Sequence, residues 1–331
     1  MLTPVALVHL LLLTLRRTAY RLNIFTTNSF PVPTIVVGNV VVGGTGKTPV
    51  VIALVNHFQG QGFFVGVASR GYGRESDETL EVEAGMAIAL TGDEPALIKS
   101  KTGAPVVVAK RRSEAVKQLL LSYAHVDIVI CDDGLQHYAL NRDIEIAVFD
   151  DRGIGNGWLL PAGLLREPWR HRQEREIDFV LHTGQTPRFA GYRCKRELGM
   201  YATAANGKQI ALSSLRNKRV IALAAVGNPE AFFNMLRDSG VTLTETISLP
   251  DHYAFPTGLE GINANVSHVD AVLCTEKDAI KLFANSAPIA ENIFSIPLVT
   301  APDAEFYAAL DALLAPLTNK KKSQVLSLDG H

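Results

Sequence analysis

Cysteine is scarce in this 331-residue chain: Cys131, Cys194 and Cys274 lie far apart, and no two stand at Cys-x-x-Cys spacing. That excludes a disulfide framework and a cysteine-built zinc site, and it suits a reducing compartment with all three thiols as packing residues. An excess of either charge is also missing, with 32 Lys and Arg against 33 Asp and Glu. No global field therefore draws the protein to nucleic acid, and attraction to anionic partners must come from local clusters. Internal repeats and low-complexity linkers are absent. No apolar run reaches the roughly 20 residues of a spanning helix.

What is present begins with apolar residues, 47% of the chain, enough for a substantial core in two domains. Met1 to Leu15 is almost entirely apolar, broken by Thr3, Pro4, His9 and Thr14, and Arg16-Arg17 follow at once. A secretory signal carries its positive charge ahead of the apolar stretch, the reverse of this order. An apolar helix ending in arginines and Tyr20 fits the bilayer interface, with the arginines meeting anionic headgroups. The plain alternative is a helix packed on the protein's own core.

Apolar runs then alternate with helical patterns, which reads as α/β with a largely parallel sheet. Strands are expected at Thr34–Val37, Phe63–Ala68, Pro105–Ala109, Ile128–Cys131, Ile144–Phe149 and Phe179–His182. Helices are expected near Pro49–Gln59 and Ser113–Ser122. From Tyr192 to Leu212 the sequence turns short-period and polar, and Asn206-Gly207 signals a β-hairpin joining two domains. A second α/β series starts at Arg219–Ala225 and reaches Ala271–Cys274. The expected division is an interface helix over 1–25, a phosphate-loop domain over 26–191 and a hairpin linker over 192–213. A smaller α/β domain over 214–318 and a flexible tail over 319–331 complete it.

The chemistry-bearing segment is Gly43-Gly44-Thr45-Gly46-Lys47-Thr48, between an expected strand and an expected helix. Glycines let successive backbone N–H groups face phosphates beside a helix N-terminus that favours negative charge. Lys47 is then the residue that reaches the β- and γ-phosphates of ATP, and the Thr48 hydroxyl ligates Mg²⁺. Pro49 is tolerated because the first helical turn has no N–H partner to lose. The full pattern places a glycine six residues before the lysine, where this chain has Val41. The double glycine is also similar to the loop of partition and septum-site ATPases, but their extra lysine is replaced here by Val42. A phosphate loop needs an acidic metal partner at the end of an apolar strand, and Ile128-Val129-Ile130-Cys131-Asp132-Asp133 supplies two candidates. An Asp-Asp-Gly turn at the surface is the plain alternative.

Several segments together resemble the tetraacyldisaccharide 4′-kinases of lipid A biosynthesis. They are Pro33-Thr34-Ile35-Val36-Val37-Gly38-Asn39, Ser69-Arg70-Gly71-Tyr72-Gly73-Arg74, Gly92-Asp93-Glu94-Pro95 and Asp132-Asp133-Gly134-Leu135-Gln136-His137. Leu159 through Pro168, Gly227-Asn228-Pro229, Asp251-His252-Tyr253 and Thr275-Glu276-Lys277-Asp278 extend the likeness to about residue 281. Seen from that family, Val41 resembles the family's own loop variant. The resemblance implies two α/β/α sandwich domains, the first a phosphate-loop kinase fold, with a cleft between them. It further implies transfer of the ATP γ-phosphoryl group to the 4′-hydroxyl of an acylated glucosamine disaccharide 1-phosphate, with Mg²⁺. The work would be done at the cytoplasmic face of an inner membrane, whose lipid surface is the expected partner, with no nucleic acid and no obligate protein partner.

By the same resemblance Asp93 is the base that accepts the hydroxyl proton and His252 its orienting partner, with Lys47 the third catalytic group. On residue type alone, Asp93 is as well explained as a helix cap, and His252 as a surface histidine. Glu167 is a candidate metal or second-layer carboxylate, or simply a loop residue. Arg70, Arg74 and Arg166 are candidates for substrate phosphate, Arg166 alternatively for nucleotide phosphate. The basic stretch Arg166, Arg170, His171, Arg172 and Arg175 could instead serve the bilayer surface. Lys277 and Asp278 are expected near the nucleotide or in the interdomain cleft. The competing readings are a membrane-associated phosphate-loop ATPase acting on a protein partner, and a kinase of a soluble small molecule.

Overall fold

The computed structural model describes residues 2–169, 177–255, 268–284 and 291–328. Arg170, His171, Arg172 and Arg175 lie outside the described residues. Two sheets carry the chain. The first contains β1 (Thr34–Gly38), β2 (Val65–Ser69), β3 (Leu80–Glu81), β4 (Val106–Val108), β5 (Ile128–Asp132), β6 (Ile144–Phe149), β7 (Phe179–His182), β8 (Tyr192–Leu198) and β15 (Leu298–Pro302). Its order is β15-β8-β7-β6-β1-β5-β2-β4-β3, antiparallel only where β3 and β15 pair at the two edges. The second contains β9 (Tyr201–Ala204), β10 (Gln209–Ala211), β11 (Val220–Ala224), β12 (Leu243–Ser248), β13 (Ala271–Thr275) and β14 (Ile293–Ile296). Its order is β10-β9-β14-β13-β11-β12.

Continuous apolar strands are what a parallel sheet covered on both faces requires. Ile35 and Val37 of β1 join Ile128 and Ile130 of β5 on one face, packed on α2 (Lys47–Gly60) through Val50, Val51, Leu54 and Phe58. Val36, Val129 and Cys131 point the other way, into a second cluster shared with α5 (Arg112–Ser122). The alternation along each strand places one cluster on each face. The smaller sheet repeats the plan. Ala222, Ala224 and Leu273 pack on α6 (Pro229–Asp238) through Phe232, Phe233 and Leu236. Ile221, Leu223 and Cys274 pack on α7 (Glu276–Ala284) through Ala279 and Leu282. The three cysteines are free and buried, as their spacing predicts.

The connection between the sheets differs from the expected hairpin over 192–213. Only β9 and β10 form that hairpin, around Asn206-Gly207, and both belong to the second sheet. β8 belongs to the first sheet, and the chain returns to pair β15 against it antiparallel, Leu298 opposite Leu198. At the two crossing points the Gly199 amide donates to the Pro297 carbonyl at 2.8 Å. Two adjacent strands, rather than one linker, therefore join the halves. The smaller unit also ends earlier than the expected residue 318. α8 (Ala304–Leu328) packs Phe306, Leu310 and Leu314 into the core of the first sheet. Its backbone stays helical through Asn319 to Leu328, where a flexible tail was expected. Local polarity signalled a tail, whereas helix propagation adds a hydrogen bond per residue once a packed nucleus exists.

At the other end, α1 (Thr3–Arg21) is held by few contacts. Ala6 is buried, Leu10 and Leu13 are partly packed, and His9 Nδ1 pairs with the Leu160 carbonyl at 3.1 Å. Val5, Leu7, Val8, Leu11, Leu12 and Leu15 are each more than half exposed. Among the described residues no helix is long and apolar enough to cross a membrane.

Candidate active site

The phosphate loop follows β1 and ends as α2 begins. Gly43 and Gly46 adopt φ of 89° and 82°, left-handed conformations that glycine reaches without the Cβ penalty. Val41, where the usual pattern has glycine, is fully buried and bridges to Leu165, and the Val42 amide donates to the Leu164 carbonyl at 2.9 Å. The loop is thus pinned by a bridge instead of a tight glycine turn. Asn39 pins it from within, its Nδ2 donating to the Gly43 carbonyl at 3.3 Å and the Thr45 hydroxyl at 3.1 Å. Thr183 donates to the Thr45 carbonyl at 2.8 Å. Arg152, held by Asp150 at 2.9 and 3.1 Å, donates to the carbonyls of Val42 and Gly44 at 3.3 and 3.2 Å. These bonds occupy loop carbonyls and leave amides to face an anion.

Asp132 ends β5 directly beside β1, its Cα paired with that of Val37. Among the described residues its buried Oδ1 has no hydrogen-bond partner, and burial, reinforced by Glu94 and Asp133, pushes its carboxyl well above the usual range. An orphaned, desolvated carboxylate oxygen fits a hard dication, since Mg²⁺ takes one or two carboxylates and completes its shell with phosphate and water. Thr48, whose hydroxyl is the other candidate oxygen for such a site, stands in the first turn of α2. Among the described residues no three His, Cys, Asp or Glu side chains form a metal cage.

Asp133, at φ 50°, turns instead toward cations: Lys47 Nζ at 3.5 Å and Arg166 at 3.2 Å. Burial raises its carboxyl, but Lys47, Arg166 and Arg112 together prevail and hold it below the usual value. Arg112, which the sequence did not single out, donates to the Asp133 carbonyl at 2.7 Å. Arg166 therefore stands at the nucleotide end beside Lys47.

Two expected site residues have other partners here. Glu167 is completely buried, its oxygens accepting from Gln136 at 2.8 Å and the Tyr138 hydroxyl at 2.6 Å. Gln136 also donates to the Asn39 carbonyl at 2.9 Å, so Glu167 steadies the approach to the phosphate loop from behind. Arg74 folds back on its own loop and donates to the Glu78 carbonyl at 2.6 Å. Arg70 remains exposed. Arg16 and Arg17, expected at headgroups, lie 5.7 and 5.9 Å from the centre of the Tyr138 ring.

Asp93 and His252 do meet. Asp93 opens α4 (Asp93–Thr102) after Gly92, whose φ of 83° seats the turn against Gly71. His252 Nδ1 lies 3.1 and 3.0 Å from the two Asp93 oxygens. Asp93 Oδ1 also accepts from the amide of the next residue, Glu94, at 2.9 Å, while the capping position of the helix is Gly92 and carries no side-chain cap bond. Lys281 and Lys277 add their charge at 3.4 and 3.8 Å from Asp93 Oδ2. Burial works to raise the Asp93 carboxyl, but the His252 hydrogen bond and the two lysines outweigh it and hold the value at about 2. Tyr72 leans over the His252 ring at 4.8 Å between centroids. Tyr72 and Lys281 escaped notice in the sequence, since only the fold brings their segments together.

Between the two halves lies a cleft of about 400 Å³, floored by Gly44–Thr48 and walled by Ile52, Asn56, Phe232, Met235 and Lys277. Its lining combines apolar side chains with charged ones from both halves, among them Lys47, Glu94, Arg196, Asp251 and Lys277.

Comparison with known proteins agrees with this geometry. The family model described as tetraacyldisaccharide-1-P 4′-kinase (LpxK) matches residues 1–315. A tetraacyldisaccharide 4′-kinase of Polaromonas naphthalenivorans is 55% identical over 331 residues, covering 100% of this chain and 94% of the relative. One from Acidovorax ebreus is 43% identical, covering 96% and 90%. The crystal structure of "apo" form LpxK from Aquifex aeolicus, in complex with ATP, matches with a TM-score of 0.77 at 28% identity, covering 96% of this chain and 98% of that one. The chain belongs to the tetraacyldisaccharide-1-phosphate 4′-kinase family.

Proposed function

We propose that this chain transfers the γ-phosphoryl group of ATP to the 4′-hydroxyl of a tetraacyldisaccharide 1-phosphate, a step of lipid A biosynthesis, at a membrane surface. The observation that carries the reading is the pairing of Asp93 with His252 across the cleft that holds the phosphate loop. An ATPase acting on a protein partner has no need of a buried carboxylate beside the phosphate loop that is braced by a histidine from the second half, whereas an acceptor hydroxyl does.

In this reading the amides of Gly43 to Thr48 and the Lys47 ammonium bind the β- and γ-phosphates. Thr48 and Asp132 would hold Mg²⁺, which supplies charge neutralisation across the phosphates when bound. Asp133 orients Lys47 and Arg166. Asp93 accepts the hydroxyl proton, and His252 fixes the carboxylate. A carboxylate held at about 2 is a weak base. A loose phosphoryl-transfer transition state asks mainly for orientation of the nucleophile, with the proton leaving late.

The exposed leucines and valines of α1 are the lipid-facing surface. Each gains roughly 1 kcal/mol from partial burial, which together supports peripheral binding beside an acylated substrate. The position of the new phosphate tests the reading: mass and phosphorus NMR analysis of the product should place it on the 4′ oxygen. Orthophosphate as the main product, with the disaccharide unchanged, would favour the ATPase.

A further inference from the structure

We infer that Lys277 is a further catalytic residue, one that leaves its resting partners when nucleotide binds and stabilises the phosphoryl group during transfer. The inference rests on the kinase reading above and adds a residue to it.

Lys277 stands on the first turn of α7, in the second half of the molecule, and lines the same cleft as Gly44 through Thr48. Its Nζ lies 3.2 Å from Asp251 Oδ1, 3.4 Å from Glu94 Oε1 and 3.4 Å from His252 Nε2. Three donors thus meet three acceptors, and His252 in the tautomer that donates from Nδ1 to Asp93 offers Nε2 to the lysine. Glu94, Asp93 and Asp251 raise the affinity of Lys277 for its proton despite burial. The ammonium therefore stays charged, in contact with the His252–Asp93 pair and on the wall of the cleft that Gly44 through Thr48 also line. An in-line transfer between loop and acceptor passes its equatorial oxygens through that cleft.

Lys281, one turn further along α7, provides the contrast. Its side chain is 5% exposed, and its Nζ is fixed by Asp93 at 3.4 Å and Asp278 at 3.8 Å above the Phe255 ring. It does not line the cleft and serves as a permanent counter-ion to Asp93. Lys277 holds exchangeable partners at the cleft wall. A triphosphate oxygen replaces one of them with a stronger acceptor.

In the step itself, the bond from the acceptor oxygen to phosphorus forms as the bond from phosphorus to the β-phosphate oxygen breaks. The hydroxyl proton passes to Asp93, and ADP departs with the electron pair. Lys277 gives up no proton.

Lys277→Met, Lys277→Gln and Lys277→Met/Glu94→Gln, with Glu94→Gln as the reference, separate this role from simple neutralisation of Glu94. Turnover is measured beside calorimetric affinity for ADP and for a non-hydrolysable ATP analogue. Both single variants are expected to lose about 10²-fold or more in kcat, as for removal of one transition-state donor. Their affinity for ADP should change less than about threefold, while their preference for the triphosphate over ADP falls about tenfold. The double variant should stay as slow as Lys277→Met. If Glu94→Gln restores turnover to the level of Glu94→Gln alone, Lys277 only balances charge and the inference is overturned. An unchanged triphosphate preference in a folded Lys277→Gln protein overturns it equally. Failure of the kinase reading looks different: wild-type protein would bind the ATP analogue with its Lys277-dependent preference yet label no disaccharide lipid.

Discussion

Gly44 of the phosphate loop and Gly227 of the second half touch backbone to backbone: a Cβ built on Gly44 would stand 3.5 Å from the Gly227 Cα and amide nitrogen. A Cβ on Gly227 would lie 3.0 Å from the Gly44 Cα and 3.2 Å from Asp251 Oδ2. Gly227 is not among the glycines at positive φ, so its own backbone accepts a side chain. What it does not accept is the phosphate loop at that distance.

Gly227→Val should therefore leave the melting temperature within a few degrees of wild type while lowering kcat at least about tenfold, because the cleft can no longer close. Thermal unfolding and steady-state kinetics on one preparation check this. Unaltered kcat would mean that the closed contact is not used in turnover.

Lys47→Ala should lower turnover by at least about 10³, since charge stabilisation is the main catalytic contribution in phosphoryl transfer. It also releases Asp133, which Lys47 contacts at 3.5 Å, so Asp133 should take up a proton more readily in the variant. Near-normal turnover in a folded variant would remove Lys47 from the mechanism.

Asp93 and His252 should behave as one unit. Asp93→Ala, His252→Ala and the double variant are expected to show similar losses in kcat, with ATP binding retained in all three. A double loss near the product of the single losses would mean that the two act independently.

The pH profile follows from the same contacts. A carboxyl lowered to about 2 stays ionised from below pH 4 upward, so wild type should show no acid limb from Asp93 at pH 5 and above. Its stabilising pairings are complete above the ordinary aspartate value and are lost only as pH falls through about 2. Removing His252 leaves burial less opposed, and the acid limb of kcat in His252→Ala should move upward. A limb that does not move would show that His252 contributes nothing to the charge of Asp93.

Deleting residues 2–15 should shift the protein to the soluble fraction and raise the KM for micellar lipid, with ATP affinity unchanged. The six exposed leucines and valines of α1 supply no chemistry, and the deletion keeps Arg16 and Arg17, which connect the helix to the phosphate loop through a relay. Arg16 and Arg17 rest on Tyr138, Tyr138 bonds Glu167, and Gln136 bonds both Glu167 and the Asn39 carbonyl. Full membrane retention after deletion would assign the anchor to another surface.

The strands that position the site were legible because each is a short apolar run ending at a functional turn, Gly38-Asn39 at the end of β1 and Asp132-Asp133 at the end of β5. The phosphate loop was legible for the same local reason. What sequence alone did not yield depends on long-range return of the chain. β15 pairs with β8 and α8 packs on the first core, although both follow the second sheet, and no local pattern records where a strand finds its partner. Arg112, Arg152 and Tyr72 reach the site by the same route. Glu167 and Arg74 were legible as polar residues in informative loops, yet their carboxylate and guanidinium are bonded to neighbouring groups. Residue type alone does not tell a ligand from a brace.

Transfer of label from γ-labelled ATP to purified tetraacyldisaccharide 1-phosphate in mixed micelles tests the central claim most directly, run beside Lys47→Ala and Asp93→Ala. The expected result is a labelled lipid whose formation requires Mg²⁺ and falls by at least about 10³ in the Lys47 variant. Label appearing only in orthophosphate, at a rate indifferent to the disaccharide, would contradict it.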